Sequence, residues 1–192
     1  MPTSTITAGL NATQLRVAGT GSIWKAPLGT ALPTDSTTAW ATGWVNLGYQ
    51  KDGFTITPSL KTTPVMGWQS TQILRLIATE LTRKYAFEPL QSNIQTTAMA
   101  WNGTVVPGTA GIYTITVPNA ATISEFMLGI DWSDGTTSQR IVIQRCALLT
   151  LPAIKGKRTE ETSYPFEVQE LVPGDNSNSV LIFGVDDAVS GV

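Results

Sequence analysis

Trp44-Val-Asn-Leu-Gly-Tyr-Gln-Lys-Asp-Gly-Phe-Thr-Ile-Thr-Pro58 runs into Ser59-Leu-Lys-Thr-Thr-Pro64-Val-Met-Gly-Trp68-Gln69, and an apolar-rich run from Gln72 to Phe87 follows. Two strand-like pieces thus flank a connection, residues 58–71, that is not shaped like a hairpin turn. A tight hairpin closes in about two to five residues with Gly or Asn at positive φ. This connection is longer, carries two prolines, and holds Leu60, Val65, Met66 and Trp68. Long loops in compact domains are uncommon and often functional, and an exposed apolar surface tends to mark an interaction site. Two readings stand level: Trp68 folds back onto its own domain, or the loop docks on a partner.

Working outward, the run Gln72 to Glu88 reads as the longest strand. Ile73, Ile77, Leu81, Tyr85 and Phe87 fall on one face, and Leu74, Leu76 and Ala78 make the other face apolar at its start. That pattern predicts burial on both sides early and on one side later. On the N-terminal side, Gln14 to Ala26 reads as a strand with a bulge or close approach at Gly19 and Gly21. Residues 27–38 are a loop by their breakers. Trp44 to Gly48 is a short strand, Lys51-Asp52-Gly53 a turn, and Phe54 to Thr57 the next strand. On the C-terminal side, Ser92 to Asn102 is the best helix candidate, with Ser92 as cap and Asn102-Gly103 as stop. Ile112 to Val117 and Ile123 to Trp132 are strands. Asp134-Gly135 between apolar runs predicts a hairpin joining the latter to Gln139–Leu151. Thr162, Tyr164, Phe166 and Val168 alternate with Glu161, Ser163, Pro165, Glu167 and Gln169, the cleanest period-2 pattern in the chain. Val180 to Phe183 closes the set.

These elements predict a mainly β fold: about nine strands in two packed antiparallel sheets, with one helix on the flank. The 192 residues read as one domain, with residues 1–13 as an N-terminal arm, 58–71 as the long loop and 184–192 as a C-terminal tail. Thr is the commonest residue, and β-branched residues favour strands.

Composition excludes several classes of function. The chain has no histidine, so a Ser-His or Cys-His nucleophile is impossible. Its single cysteine, Cys146, allows no internal disulfide and no cysteine-based zinc site. A net charge of −2 gives no basic footprint for nucleic acid. No apolar run reaches the roughly 18 residues of a membrane span, and the first residues lack the pattern of a signal peptide. Charged residues make up 14% of the chain, against about 25% in an average domain. That suits a surface largely covered by other subunits, or an extracellular β-domain.

Candidate chemistry is thin, and no catalytic residue, metal site or cofactor is expected. Glu160 and Glu161 are adjacent, so a strand points them to opposite faces rather than pairing them for glycoside hydrolysis. Asp131, Asp134, Asp186 and Asp187 lack calcium-loop spacing. Lys155, Lys157 and Arg158 form a small basic cluster, read as a solvated loop or as a contact to an acidic neighbour. Trp24, Trp40, Trp44, Trp68, Trp101 and Trp132 read mainly as core; a sugar-stacking platform is the alternative, and would make this a carbohydrate-binding or adhesive domain.

One set of short motifs is more specific. Gly21 to Thr30 reads Gly-x-Ile-Trp-x-Ala-Pro-x-Gly-Thr; Leu32 to Ala39 reads Leu-Pro-Thr-Asp-Ser-Thr-Thr-Ala; Trp44 to Tyr49 and Asp52 to Thr55 follow, then Lys61 to Gln69. With Leu151 to Glu170 in the second half, this order resembles the major tail (tail tube) proteins of long, non-contractile-tailed phages of actinobacteria. The resemblance is strongest over residues 16–90. It implies a structural virion protein, assembled in the host cytoplasm, whose hexameric rings stack into a hollow tube for genome delivery. Each subunit would give strands to a continuous inner β-barrel, and the loops and arm would reach neighbouring rings. Partners so implied are further copies of the chain, a tape measure protein, and terminator and distal tail proteins. Double-stranded DNA would pass without specific binding, and no membrane is involved.

Residue by residue, two expectations follow. Leu60, Lys61, Val65, Met66 and Trp68 form a ring-stacking loop. Glu161, Ser163, Glu167 and Gln169, with Glu80 and Glu88, form a neutral to acidic channel wall, because a basic wall would hold DNA through counterion release.

Overall fold

The computed structural model of the protein describes residues 15–185. The arm expected at residues 1–13 and most of the tail therefore lie outside the described residues; Gly184 and Val185, read as tail, belong to the last strand. The strands are β1 (Thr20–Ala26), β2 (Val45–Asn46), β3 (Gln50–Met66), β4 (Ile73–Pro89), β5 (Thr104–Pro107), β6 (Tyr113–Thr116), β7 (Glu125–Asp134), β8 (Thr137–Thr150), β9 (Phe166–Glu170) and β10 (Val180–Val185), with helix α1 (Ile94–Ala100) after β4. The expected mainly β architecture of two antiparallel sheets and one helix is what forms. The sheets are unequal. Eight strands run in the order β2-β1-β7-β8-β9-β4-β3, with β10 also on β8, and β5 pairs β6 alone.

The large sheet curls until β1 and β3 touch without pairing. Its concave face carries the main core: Ile23, Tyr85, Phe87, Leu128, Ile130, Ile143, Phe166 and Val168, capped by Met99 and Ala100 of α1. Short-range chemistry sets the boundaries. The hairpin predicted at Asp134-Gly135 forms, with Gly135 at φ 62 and Asp134 opposite Thr137. The helix is capped one residue later than expected. Asn93, not Ser92, accepts from the Thr96 amide at 2.8 Å, and Thr96 Oγ1 accepts from the Asn93 amide at 3.0 Å. The Ser92 hydroxyl instead accepts a hydrogen bond from Tyr164 Oη. The expected stop holds: Asn102 takes φ 49, and the Gly103 amide returns to the Ala98 carbonyl.

The convex face carries a second, smaller core built around tryptophan. Trp40 lies 5.6 Å from Trp24 and 4.4 Å from Trp44, over Gly129, where a Cβ would overlap the indole. Arg140 is 4% exposed, with its guanidinium 4.3 Å from the Trp40 ring. It donates to Asp131 Oδ1 at 2.7 Å and to the carbonyls of Asp35 and Thr38 at 2.9 and 2.8 Å. Asp131 also accepts from Trp40 Nε1 at 2.6 Å. One arginine thus ties the loop between β1 and β2 to the β7–β8 hairpin. Within that loop, Asp35 accepts from Thr38 and Thr37, which holds its carboxyl well below the usual carboxylate range.

Three local expectations are corrected. Residues 58–66 are not loop: β3 runs unbroken from Gln50 to Met66, and only the few residues before Ile73 turn. Pro58 and Pro64 misled because proline breaks interior strands, yet β3 is an edge strand with β4 on one side only. Being six residues apart, both prolines turn their missing N–H to the same edge. The turn expected at Lys51-Asp52-Gly53 is a bulge inside β3, where the register shifts between Gln50 and Phe54 and Gly53 takes φ 83. The period-2 run from Thr162 becomes a strand only at Phe166. Tyr164 is buried as expected, but its amide goes to the Pro89 carbonyl rather than into a ladder.

Candidate functional site

The feature without a structural explanation inside the chain is the β3–β4 hairpin. Each strand is 17 residues long, far beyond the usual five or six. β9 pairs with β4 only from Lys84 to Phe87. Closer to the tip, β4 has β3 on one edge and no strand of the described residues on the other, and β3 is unpaired along its outer edge. The outer half projects as a two-stranded ribbon whose residues are almost all exposed. Such a ribbon is marginal in water by itself.

Alternation sorts the ribbon into two faces. One continues the core face outward from Tyr85 and Phe87: Ile56, Leu60 and Met66 on β3, with Leu81 and Leu76 on β4, all exposed. The expectation that the early part of β4 is buried on both sides is corrected accordingly, since Ile73, Leu74, Leu76 and Ile77 are exposed. A bulge at Thr79, between the pairs Lys61–Glu80 and Thr62–Ala78, also moves Ile77 to the opposite face from Leu81. The core ends at Glu170, which accepts from Arg83 Nη1 at 2.8 Å and Tyr85 Oη at 3.1 Å. Burial, then the Glu170 charge, pushes the Tyr85 phenol well above its ordinary range. Glu170→Ala should therefore lower stability by about 1–3 kcal/mol, by leaving the buried Tyr85 hydroxyl unpartnered. Tyr85→Phe in the same background should recover part of the loss in urea unfolding; no recovery would place the effect elsewhere.

The opposite face is polar. Thr55, Thr57, Ser59 and Lys61 stand beside Ala86, Lys84, Thr82 and Glu80, with Glu167 and Gln169 of β9 next in line. Four of the six residues expected to line a channel, Glu80, Glu88, Glu167 and Gln169, are therefore brought onto one face. Glu161 and Ser163 lie off the strand, in the segment before β9, and share a depression with Glu88. The Ser163 hydroxyl, and then Lys51, hold the Glu88 carboxyl below its ordinary range. The face is not acidic in net terms. Lys61 pairs with Glu80 at 2.6 Å, Lys84 with Glu167 at 3.1 Å and Lys51 with Glu88 at 3.4 Å. Exposed pairs of this kind contribute about 0–1 kcal/mol each, so they matter for the field the face presents more than for the fold.

The expected stacking residues separate in the same way. Leu60 and Met66 are on the apolar face, Lys61 and Val65 on the polar one. Trp68 sits in the turn and is 98% exposed, so it does not fold back within the described chain. The tip is fixed locally: the Ser70 amide donates to the Gly67 carbonyl, and the Gln72 amide to Ser70 Oγ. Leu74 packs so closely on Gly67 that a Cβ there would lie 2.7 Å from Leu74 Cδ1.

Reading the sequence did not find a second apolar surface. A groove runs between Trp101 at the end of α1, residues 117–124, and Leu149–Leu151 at the end of β8. The signal was available as Trp101, Val117, Ile123, Leu149 and Leu151, but these come from the helix end, a loop and the end of β8, which no local pattern joins.

Several of the other candidates have partners within the chain, while Trp101 is 54% exposed. Trp40 stacks on Trp24 and lies tilted against Trp44. Asp131 is paired with Arg140, and Asp134 accepts from the Val17 amide; Asp186 and Asp187 lie outside the described residues. Lys157 of the basic cluster pairs with Glu160. No described helix is long and apolar enough to cross a membrane. In comparison with known proteins, a family model described as phage tail tube protein matches residues 8–182. No curated protein matches the chain.

Proposed function

The chain belongs to the phage tail tube protein family, and from that premise we propose that its copies form hexameric rings stacked into a hollow conduit for genome delivery, in a tail of the long, non-contractile kind. The β3–β4 hairpin carries this reading. It exposes two strand edges and an apolar face that a monomer has no use for, and ring closure would remove both. Side by side, hairpins of neighbouring copies would continue the sheet into an inner barrel. The missing donors at Pro58 and Pro64 would restrict which strands can pair along that edge. Subunits would assemble in the host cytoplasm around a tape measure protein and be closed off by terminator and distal tail proteins. Negative-stain microscopy of the purified protein should show rings or tubes; dispersed monomers that bind glycans would support a carbohydrate-binding domain instead.

In this arrangement the polar face of the hairpin lines the lumen. Double-stranded DNA carries one charge per roughly 1.7 Å, and a conduit must not retain it. A wall whose lysines are each matched by a glutamate meets that need without a net acidic surface. Replacing Glu80 and Glu167 by Lys would leave Lys61 and Lys84 unmatched and make the wall basic. Tubes should still assemble, since the apolar face is untouched, but particles should eject DNA more slowly by about tenfold or more at low salt, with recovery as salt rises. Normal ejection at low salt from well-formed mutant tails would remove this face from the lumen.

A further inference from the structure

We infer that the hairpin tip of one copy seats Trp68 in the apolar groove between Trp101 and Leu151 of the next copy, so that tip and groove together form the ring-to-ring joint. The inference rests on the reading of this chain as a self-assembling tube subunit and names the surface that receives the tip.

Three observations carry it. The first is that the tip cannot reach the groove of its own chain. β4 runs from Ile73 at the tip to Pro89 at the base, and the ladder β4–β9–β8 sets Ala86, Glu167 and Thr150 at one level. The thirteen residues from Ile73 to Ala86 span roughly 40 Å of strand. Tip and groove therefore lie at opposite ends of the sheet along the strand direction. Two complementary patches at opposite ends of one chain make a head-to-tail contact, which propagates into a filament rather than closing as a two-fold dimer.

The second is a match in chemistry. The groove-lining residues include no Asp, Glu, Lys or Arg, and between Thr62 and Thr79 the tip carries only Arg75. Neither surface has to desolvate a row of charges to meet the other. The groove encloses about 300 Å³, a volume at the lower end of the range for ligand pockets. Its wall is fixed by Asn102, whose side-chain amide donates to the Thr122 carbonyl at 2.8 Å. Ile123 and Leu151 on its rim are 77% and 59% exposed.

The third is area. The tip exposes Trp68 almost fully, with Met66, Ile73, Leu74 and Leu76 each more than half exposed. At roughly 60–120 Å² per aliphatic side chain and 150–250 Å² for the indole, the tip offers on the order of 500 Å² of apolar surface. That is more than half of the about 800 Å² that one partner contributes to a standard stable interface. Repeated around a ring, it supplies a large contact without any single tight one.

The test uses full-length protein. Trp68→Ala and Ile123→Glu, each at an exposed position, should melt within a few degrees of the parent by circular dichroism, and each should reduce tube yield by about tenfold or more. In a mixture of Gln69→Cys and Ile123→Cys proteins, which keeps Trp68 in place, a mild oxidant should form a disulfide between the two chains; Cys146 is fully buried and does not compete. A Ser59→Cys control, on the other face of the hairpin, should not cross-link to Ile123→Cys. If Trp68→Ala blocks assembly while Ile123→Glu and Leu151→Glu assemble normally, the groove is not the receptor and only the tip reading survives. Loss of assembly in Ile123→Glu without the cross-link also overturns the joint. Normal tubes from Trp68→Ala overturn the tip reading and this inference with it.

Discussion

A chain in which residues 62–78 are replaced by Asn-Gly, joining Lys61 to Thr79, should fold normally and form no tubes at any concentration at which the parent assembles. The excision removes the outer ribbon and places a two-residue turn near the Lys61–Glu80 pair. What is lost is almost entirely exposed in the monomer, so the change in unfolding free energy should stay within about 1 kcal/mol. Assembly should fall by at least about a hundredfold, because the tip and the outer part of the apolar face, with Met66 and Leu76, are gone. A thermal midpoint close to that of the parent, with no sedimenting material, is the expected pair of results. Normal tubes from the shortened chain would show that the hairpin is a surface ornament. Loss of folding would show that the ribbon supports the core, against its exposure.

The second large effect lies in the fold. Arg140→Ala should destabilise the domain by about 3 kcal/mol, near the lower end of the range for breaking a buried ion pair, because Asp131 keeps some access to water. For a chain of this size that corresponds to a fall in melting temperature of roughly 6–12 °C. The substitution also strands the carbonyls of Asp35 and Thr38 and takes the cation from the Trp40 ring. Tryptophan fluorescence should therefore shift before the β-sheet signal is lost, as the loop between β1 and β2 detaches first. Coincident transitions by fluorescence and far-ultraviolet dichroism, at an unchanged temperature, would contradict this role for Arg140.

Much of this framework is legible in the sequence because it depends on neighbours in the chain. Asp134-Gly135 marks the hairpin, although the two turn residues are Gly135 and Thr136: Asp134 already pairs with Thr137, and that register sets Asp131 opposite Arg140. A turn centred on Asp134 and Gly135 would have set Asp131 opposite Ser138 instead, so the motif locates the hairpin but not the pair that anchors the second core. Asn102-Gly103 marks the helix end for the same reason: both positions serve a local backbone geometry. The alternation of Tyr164, Phe166 and Val168 correctly marks the residues that face the core.

What was not legible depends on which other strand lies alongside. Pro58 and Pro64 give residues 58–71 the look of a connection because sequence does not state that β3 is an edge. Ile73, Leu74, Leu76 and Ile77 were read as buried because apolar residues usually are, and nothing in the chain says that the covering surface belongs to another copy. In the sequence Glu80, Glu88 and Glu167, with Glu161, Ser163 and Gln169, make a neutral to acidic set with no visible counter-charge. The lysine partners of Glu80, Glu88 and Glu167 come from β3 or β4 across the ladder, and only the register brings Lys61, Lys51 and Lys84 to them. The apolar groove was missed because its wall is drawn from the helix end, a loop and the end of β8.

Electron cryomicroscopy of assembled tails would show whether the β3–β4 hairpin builds the tube. The expected density is a hollow tube whose lumen is lined by the face bearing Lys61, Glu80, Lys84 and Glu167, with Leu60, Leu76 and Leu81 buried and Trp68 in contact with the next ring. A tube in which this hairpin lies on the outer surface, with its apolar face still open to solvent, would contradict it.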